Sequence, residues 1–123
     1  MRGNWYDISE PNVKISFNPS CDTSVEPHEV VLTSNCGTWY AEYTQDQVAT
    51  SNGAKFSFDI DEQTLDTSQG GDCVGGNTLQ STWNLMTSGA KYDWGSSGRM
   101  NFYNSGNSHI MRLYPDLDYT APQ

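Results

Sequence analysis

Val13-Lys14-Ile15-Ser16-Phe17 alternates strictly between apolar and polar residues. A strand points successive side chains to opposite faces, so Val13, Ile15 and Phe17 should share one buried face while Lys14 and Ser16 point outward. The same period returns in Lys55-Phe56-Ser57-Phe58-Asp59-Ile60, with Phe56, Phe58 and Ile60 inward. It returns again in a final hairpin, where Met100 and Phe102 alternate in one arm and Ile110, Arg112 and Tyr114 oppose Met111 and Leu113 in the other. Half-buried antiparallel strands carry this pattern.

Between these strands the chain is punctuated by turn chemistry. Trp5–Ile8 reads as a short first strand that Pro11 closes, and Asn18–Pro27, with two prolines and Cys21, as a surface loop. Glu29–Ser34 and Thr38–Thr44 flank a tight turn at Asn35-Cys36-Gly37, and the second of these strands carries Trp39 and Tyr40 on opposite faces. Ser51-Asn52-Gly53 is a further turn, whereas Asp61–Gly76 abandons the alternation and reads as a long acidic loop. One helix is expected near residues 78–87, because Leu79, Trp83 and Met86 fall on one apolar stripe, with Asn77 as its cap and Gly89 as its stop. Gly95-Ser96-Ser97-Gly98 and Asn104-Ser105-Gly106-Asn107 supply the last turns.

The reading is of an α+β chain, mostly antiparallel β: a twisted sheet or partly open barrel of about seven to eight short strands with one helix. A chain of 123 residues fits one domain, assigned to 1–115, with 116–123 as a flexible tail or linker stub. Fifteen Asp and Glu against six Lys and Arg give a net charge of -9, and no window gathers enough basic residues to hold several phosphates. Nucleic acid is therefore not expected as a partner, and no transmembrane segment is present in the sequence. The abundance of Gly, Ser, Thr, Asn and Asp with many aromatics is the texture of secreted β proteins, and a monomer is expected. The N-terminus lacks a basic stretch followed by an apolar one, so any export signal is expected to have been removed or never to have been part of this sequence.

Chemistry is sparse. His28 follows Pro27 in a polar loop and His109 opens a hairpin strand, and both are expected to be exposed bystanders remote from any nucleophile. No catalytic residue, metal ligand or cofactor is assigned. Asp59, Asp61, Glu62, Asp66 and Asp72 form the richest acidic pool, but the first of them lack the glycine and terminal glutamate of an EF-hand loop. The three cysteines, Cys21, Cys36 and Cys73, lack the spacing of a zinc or redox pair, so one disulfide with one cysteine left over is the natural use, and three pairings are open. Aromatic residues will mostly be core, yet Trp5, Tyr40, Tyr43, Trp94 and Tyr103 are candidates for stacking on a ligand.

The order of strand, Cys at a turn, aromatic strand, second Cys, helix and end hairpin resembles the META domain family, the HslJ-like heat-shock envelope proteins. The likeness is one of layout and covers most of the chain. Lys14-Ile15-Ser16-Phe17 and Ser34-Asn35-Cys36-Gly37-Thr38-Trp39-Tyr40 stand where that family has a Phe-ended strand and a Gly/Ser-Cys-Asn turn. Gln63–Thr67 through Asp72-Cys73 resembles its threonine-containing segment, and Leu79–Met86, Lys91–Trp94, Arg99–Tyr103 and Ile110–Tyr114 line up with its helix, strand and hairpin. Two departures stand out: the turn reads Asn35-Cys36, and the loop 18–28 with Cys21 is inserted. The resemblance implies that Cys36 and Cys73 pair, a crosslink worth about 3–4 kcal/mol in the chain-entropy model. It also implies a non-catalytic exported domain, in the periplasm, in the envelope or secreted, that acts through protein or lipid contacts.

Gly3-x-Trp5-Tyr6 and Ser81-Thr82-Trp83-Asn84-Leu85 also look like pieces of lipocalin and avidin barrels, in which such a Trp lines a cavity. Against that likeness, Trp83 is placed on a helix and a regular eight-strand meander is not evident. The alternative function is a small-ligand or glycan-binding module that uses exposed Trp and Tyr residues.

Overall fold

A computed structural model describes residues 3–7, 9–19, 27–50, 53–95 and 98–116. Cys21, most of the loop around it, and the tail from 117 onward lie outside the described residues. The elements are β1 (Gly3–Asp7), β2 (Glu10–Phe17), β3 (His28–Thr33), β4 (Gly37–Thr50), β5 (Gly53–Gly70), α1 (Thr78–Ser88), β6 (Lys91–Trp94), β7 (Met100–Tyr103) and β8 (His109–Pro115). Each strand pairs antiparallel with the next and β8 returns to β1, closing a barrel in sequence order.

Among the described residues this is the expected antiparallel fold of about seven to eight strands with one helix, in the form of an eight-strand meander, whose regularity the sequence did not show. The reason is strand length, which runs from four residues in β6 to eighteen in β5 and so breaks the even spacing that marks a regular barrel. Among the described residues the seam between β5 and β6 holds two registered pairs, Phe56↔Tyr92 and Ser57↔Lys91. Past that seam β5 runs on without β6, and α1 packs there against β5, β2 and β3.

The alternation reads out as expected in the core. Val13, Ile15 and Phe17 are buried, as are Phe58, Ile60, Met100, Phe102, Met111 and Leu113, while Phe56 is partly buried. Their rings form a continuous aromatic stack, with Phe17 edge-on to Tyr43 at 5.8 Å, Tyr43 beside Phe58 at 5.1 Å and Phe58 edge-on to Phe102 at 5.3 Å. Tyr92 and Phe56 lie nearly parallel at 5.0 Å and continue the stack toward β6. Leu79, Trp83 and Met86 of α1 enter this same core from one helix face.

Four local expectations are corrected. Asp61–Gly70 is strand, not loop: β5 continues through it, but two residues of β4 face three of β5 and the next two face five. Extra residues on one strand destroy the period of two, which is why the sequence reads as loop. Thr64 repairs the ladder there, its hydroxyl accepting from the Glu42 N–H at 2.8 Å and donating to the Asp61 carbonyl at 2.6 Å.

The second correction concerns the helix cap. Asn77 makes no side-chain cap bond, and the Asp72 carboxylate instead accepts from the backbone N–H groups of Leu79 and Gln80 and from the Thr78 hydroxyl. A charged acceptor satisfies orphan donors at the positive helix end better than a neutral amide does.

Third, Pro11 lies within β2 and does not close β1. It is tolerated because β3 begins to pair with β2 only at Lys14, so no neighbour on that side asks residue 11 for an N–H.

Fourth, two residues read as outward or exposed are buried. His28 opens β3 with its ring 5.2 Å from that of Tyr43, and Ser16 is covered while its hydroxyl donates to Asn4.

Asn18, at the head of the expected surface loop, is also buried. Its φ of 48° is a backbone region that asparagine enters more readily than most residues. Its amide donates to the Tyr43 hydroxyl at 3.0 Å and its side-chain oxygen accepts from the Glu29 N–H. That leaves the deepest phenol in the core with a hydrogen-bond partner.

Cys36 and Cys73 form a disulfide with Cα atoms 5.1 Å apart, joining the β3–β4 turn to the segment ahead of α1. Beside it, backbones come so close that a Cβ on Gly37 would sit 2.2 Å from the Gly71 nitrogen. Gly70 takes a φ of +94° there, and the Trp39 indole donates to its carbonyl.

Candidate functional site

The aromatic residues singled out from the sequence separate into three environments. Tyr43 is completely buried in the stack, and Trp5 is buried with its ring 5.7 Å from Trp94. Tyr40 points outward from β4, 37% exposed, opposite Asp66 of β5. Trp94, at 51%, is the most exposed of the described tryptophans, and Tyr103 is half-buried on the outer face of β7. Trp5 and Trp94 are thus brought together, whereas Tyr40 and Tyr103 stand on separate strands of the barrel wall.

Around Tyr103 the outer face of β6, β7 and β8 carries an ordered polar network. Asp93, Asn101 and Arg112 are cross-strand neighbours in register. The Asn101 amide donates to Asp93 at 3.1 Å, and its carbonyl oxygen accepts from Arg112 Nε at 3.0 Å. One N–H and one lone pair of the amide are used in this way, which fixes its orientation. The Tyr103 hydroxyl donates to Asp93, and Lys55 Nζ sits 4.1 Å above the Tyr103 ring. Burial raises the Tyr103 pKa first, and the adjacent Asp93 charge and hydrogen bond raise it further, while Arg112 pulls the other way.

Next to this network Gly95, Arg99, Asn101 and Arg112 line a depression of about 120 Å³. Arg99 lies over the Tyr114 ring at 5.6 Å, and Tyr114 stacks on Tyr6 at 6.1 Å. Gly95 forms one wall because it has no side chain: a Cβ there would lie 2.7 Å from the Asn101 amide nitrogen. Sequence reading named Tyr103 but not Asp93, Asn101, Arg99 or Gly95. The shared phase of Arg112 and Tyr114 against Met111 and Leu113 was legible; the convergence of β6, β7 and β8 was not, because register across strands is not written in any one of them.

At the other end of the barrel a second depression, about 190 Å³, is lined by Asn12, Ser34, Asn35, Cys73, Gly76 and Thr78. Val74, next to the disulfide, is fully exposed. The two histidines do not meet: His28 begins β3 and His109 begins β8, strands that start at opposite ends of the barrel. Among the described residues no group of three or more His, Cys, Asp or Glu is arranged to hold a metal ion, and no helix is long and apolar enough to cross a membrane. Compared with protein-family models, with curated proteins and with solved structures, the chain matches none.

Proposed function

We propose that this protein is a non-catalytic, exported accessory domain that acts through contacts on its outer surface with another protein. The observation that carries this reading is the interior: the aromatic stack and the buried face of α1 occupy the space that a ligand-carrying barrel leaves open. Binding is then a matter for the outside. A net charge of -9 disfavours anionic lipid, so a protein is the better-matched partner. Val74, held out in water on a segment tied down by Cys36–Cys73 and by the Asp72 cap, is an apolar contact presented at little entropic cost. The reading also draws on the likeness in layout to META domain proteins, and a disulfide suits an oxidising compartment. A photo-crosslinking amino acid at position 74, introduced in the native host, should yield one discrete protein adduct that the same probe at exposed Glu42 does not. Equal labelling from both positions, or none from position 74, would count against it.

A second reading, a glycan-binding module, is favoured by the exposed Trp94 and by the network of Asp93, Asn101 and Arg112. Planar polar side chains beside aromatic rings are what sugar hydroxyls and C–H faces require.

A further inference from the structure

We propose that the depression lined by Gly95, Arg99, Asn101 and Arg112 binds an acidic sugar, with its carboxylate on the Arg112 guanidinium. This deepens the second reading above and rests on it.

The first ground is charge. The chain has six Lys and Arg against fifteen Asp and Glu, yet two arginines line one depression. Arg112 does not pair with the nearby Asp93, because Asn101 stands between them and takes a hydrogen bond from one and gives one to the other. Asp93 is served by neutral donors, Asn101 and the Tyr103 hydroxyl. Arg112 spends only Nε on Asn101, and among the described residues its terminal nitrogens meet no carboxylate. The fork that bonds a carboxylate through two parallel N–H groups is thereby left facing solvent.

The second ground is shape and surroundings. The depression suits a single ring better than a polymer groove, and Gly95 keeps its wall low. Its walls are polar, from Asn101 and the two arginines, and the Tyr114 ring lies under Arg99 with Tyr6 stacked beyond it. A hexuronate presents one carboxylate and vicinal hydroxyls, which answer the Arg112 fork and the unused donor and lone pair of the Asn101 amide in turn. A bare anion would use only the first, and a neutral hexose only the second.

The test is an NMR titration of the isotopically labelled full chain with D-glucuronate, with D-glucose and acetate in separate arms. Saturable shifts are expected at the Gly95 and Asn101 amides and at Arg112 Nε–H with glucuronate. Binding should be about tenfold or more weaker with glucose, the size of one charge-assisted hydrogen bond, and weaker also with acetate, which keeps the fork but has no hydroxyls for the Asn101 amide. Arg112→Gln should weaken glucuronate by a similar factor, and Arg112→Lys should not restore it, because an ammonium lacks the fork. Arg112 is exposed, so both variants should keep the wild-type fold; should either not, the wild-type shifts at Arg112 Nε–H in the glucuronate, glucose and acetate arms decide the assignment. Equal binding of acetate or glucose, or no shifts at these residues, would overturn the assignment. If a neutral sugar shifts Trp94 while glucuronate leaves Arg112 untouched, the acidic-sugar site fails and the glycan reading stands; if no arm binds, both fail.

Discussion

Tyr92 sits where β6 joins the core, its ring packed on Phe56 and its hydroxyl donating to Gln45 Oε1 at 2.7 Å. Burial pushes its pKa up to about 12, because the phenolate would lie against apolar rings. The unfolded chain ionises this group near 10, so between about 10 and 12 the native state holds a proton that the unfolded state has lost. Stability from this residue is therefore intact below pH 10 and falls as pH rises toward 12. Thermal unfolding of Tyr92→Phe over that range should show a shallower alkaline decline than wild type; parallel curves would contradict the burial argument. Phe102 is the hub of the stack, and Phe102→Ala should cost about 3–5 kcal/mol in chemical denaturation. At this scale the sequence was most legible where side chains alternate. It was least legible at Asn18 and His28, polar residues whose burial depends on Tyr43, far along the chain.

Among the elements, α1 and β5 show how a local pattern is kept or lost. The helix was readable because its apolar stripe is a property of eleven consecutive residues. Its cap was not, since Asp72 reaches in from outside the helix, folded back by the disulfide at Cys73. Asp72→Ala should lower stability by about 1–2 kcal/mol, the range of a lost cap, whereas Asn77→Ala should change it far less. Equal effects would restore Asn77 to the capping role. The far half of β5 was unreadable because bulges shift its phase, and a side chain, Thr64, completes the ladder. Gly37→Ala should destabilise strongly, because the new methyl would strike the Gly71 backbone, which cannot swing aside as a side chain can. Hydrogen exchange in the variant should quicken first across the β4–β5 pairs Gly37↔Gly70 and Thr38↔Gln69.

For the molecule as a whole, the disulfide and ring closure set the frame of the barrel. Opening Cys36–Cys73 by serine replacement of both cysteines should cost about 3–4 kcal/mol, read as a shift in denaturation midpoint with the transition still cooperative. Fold class, helix position and cysteine pair were all within reach of the sequence and its family likeness. The closed meander was not, because closure depends on β1 meeting β8, a contact between the two ends of the chain that no local window contains. The outer network went unread for the same reason, since Asp93, Asn101 and Arg112 converge only once three strands are in register. The central claim is that the interior is this protein's own core, so that the proposed binding falls to the outer surface. Its most direct test is a calorimetric titration of the native protein with laurate, an apolar ligand of the size that ligand-carrying barrels enclose. No saturable heat and no rise in melting temperature are predicted; stoichiometric binding with a raised melting temperature would show that the barrel carries its ligand within.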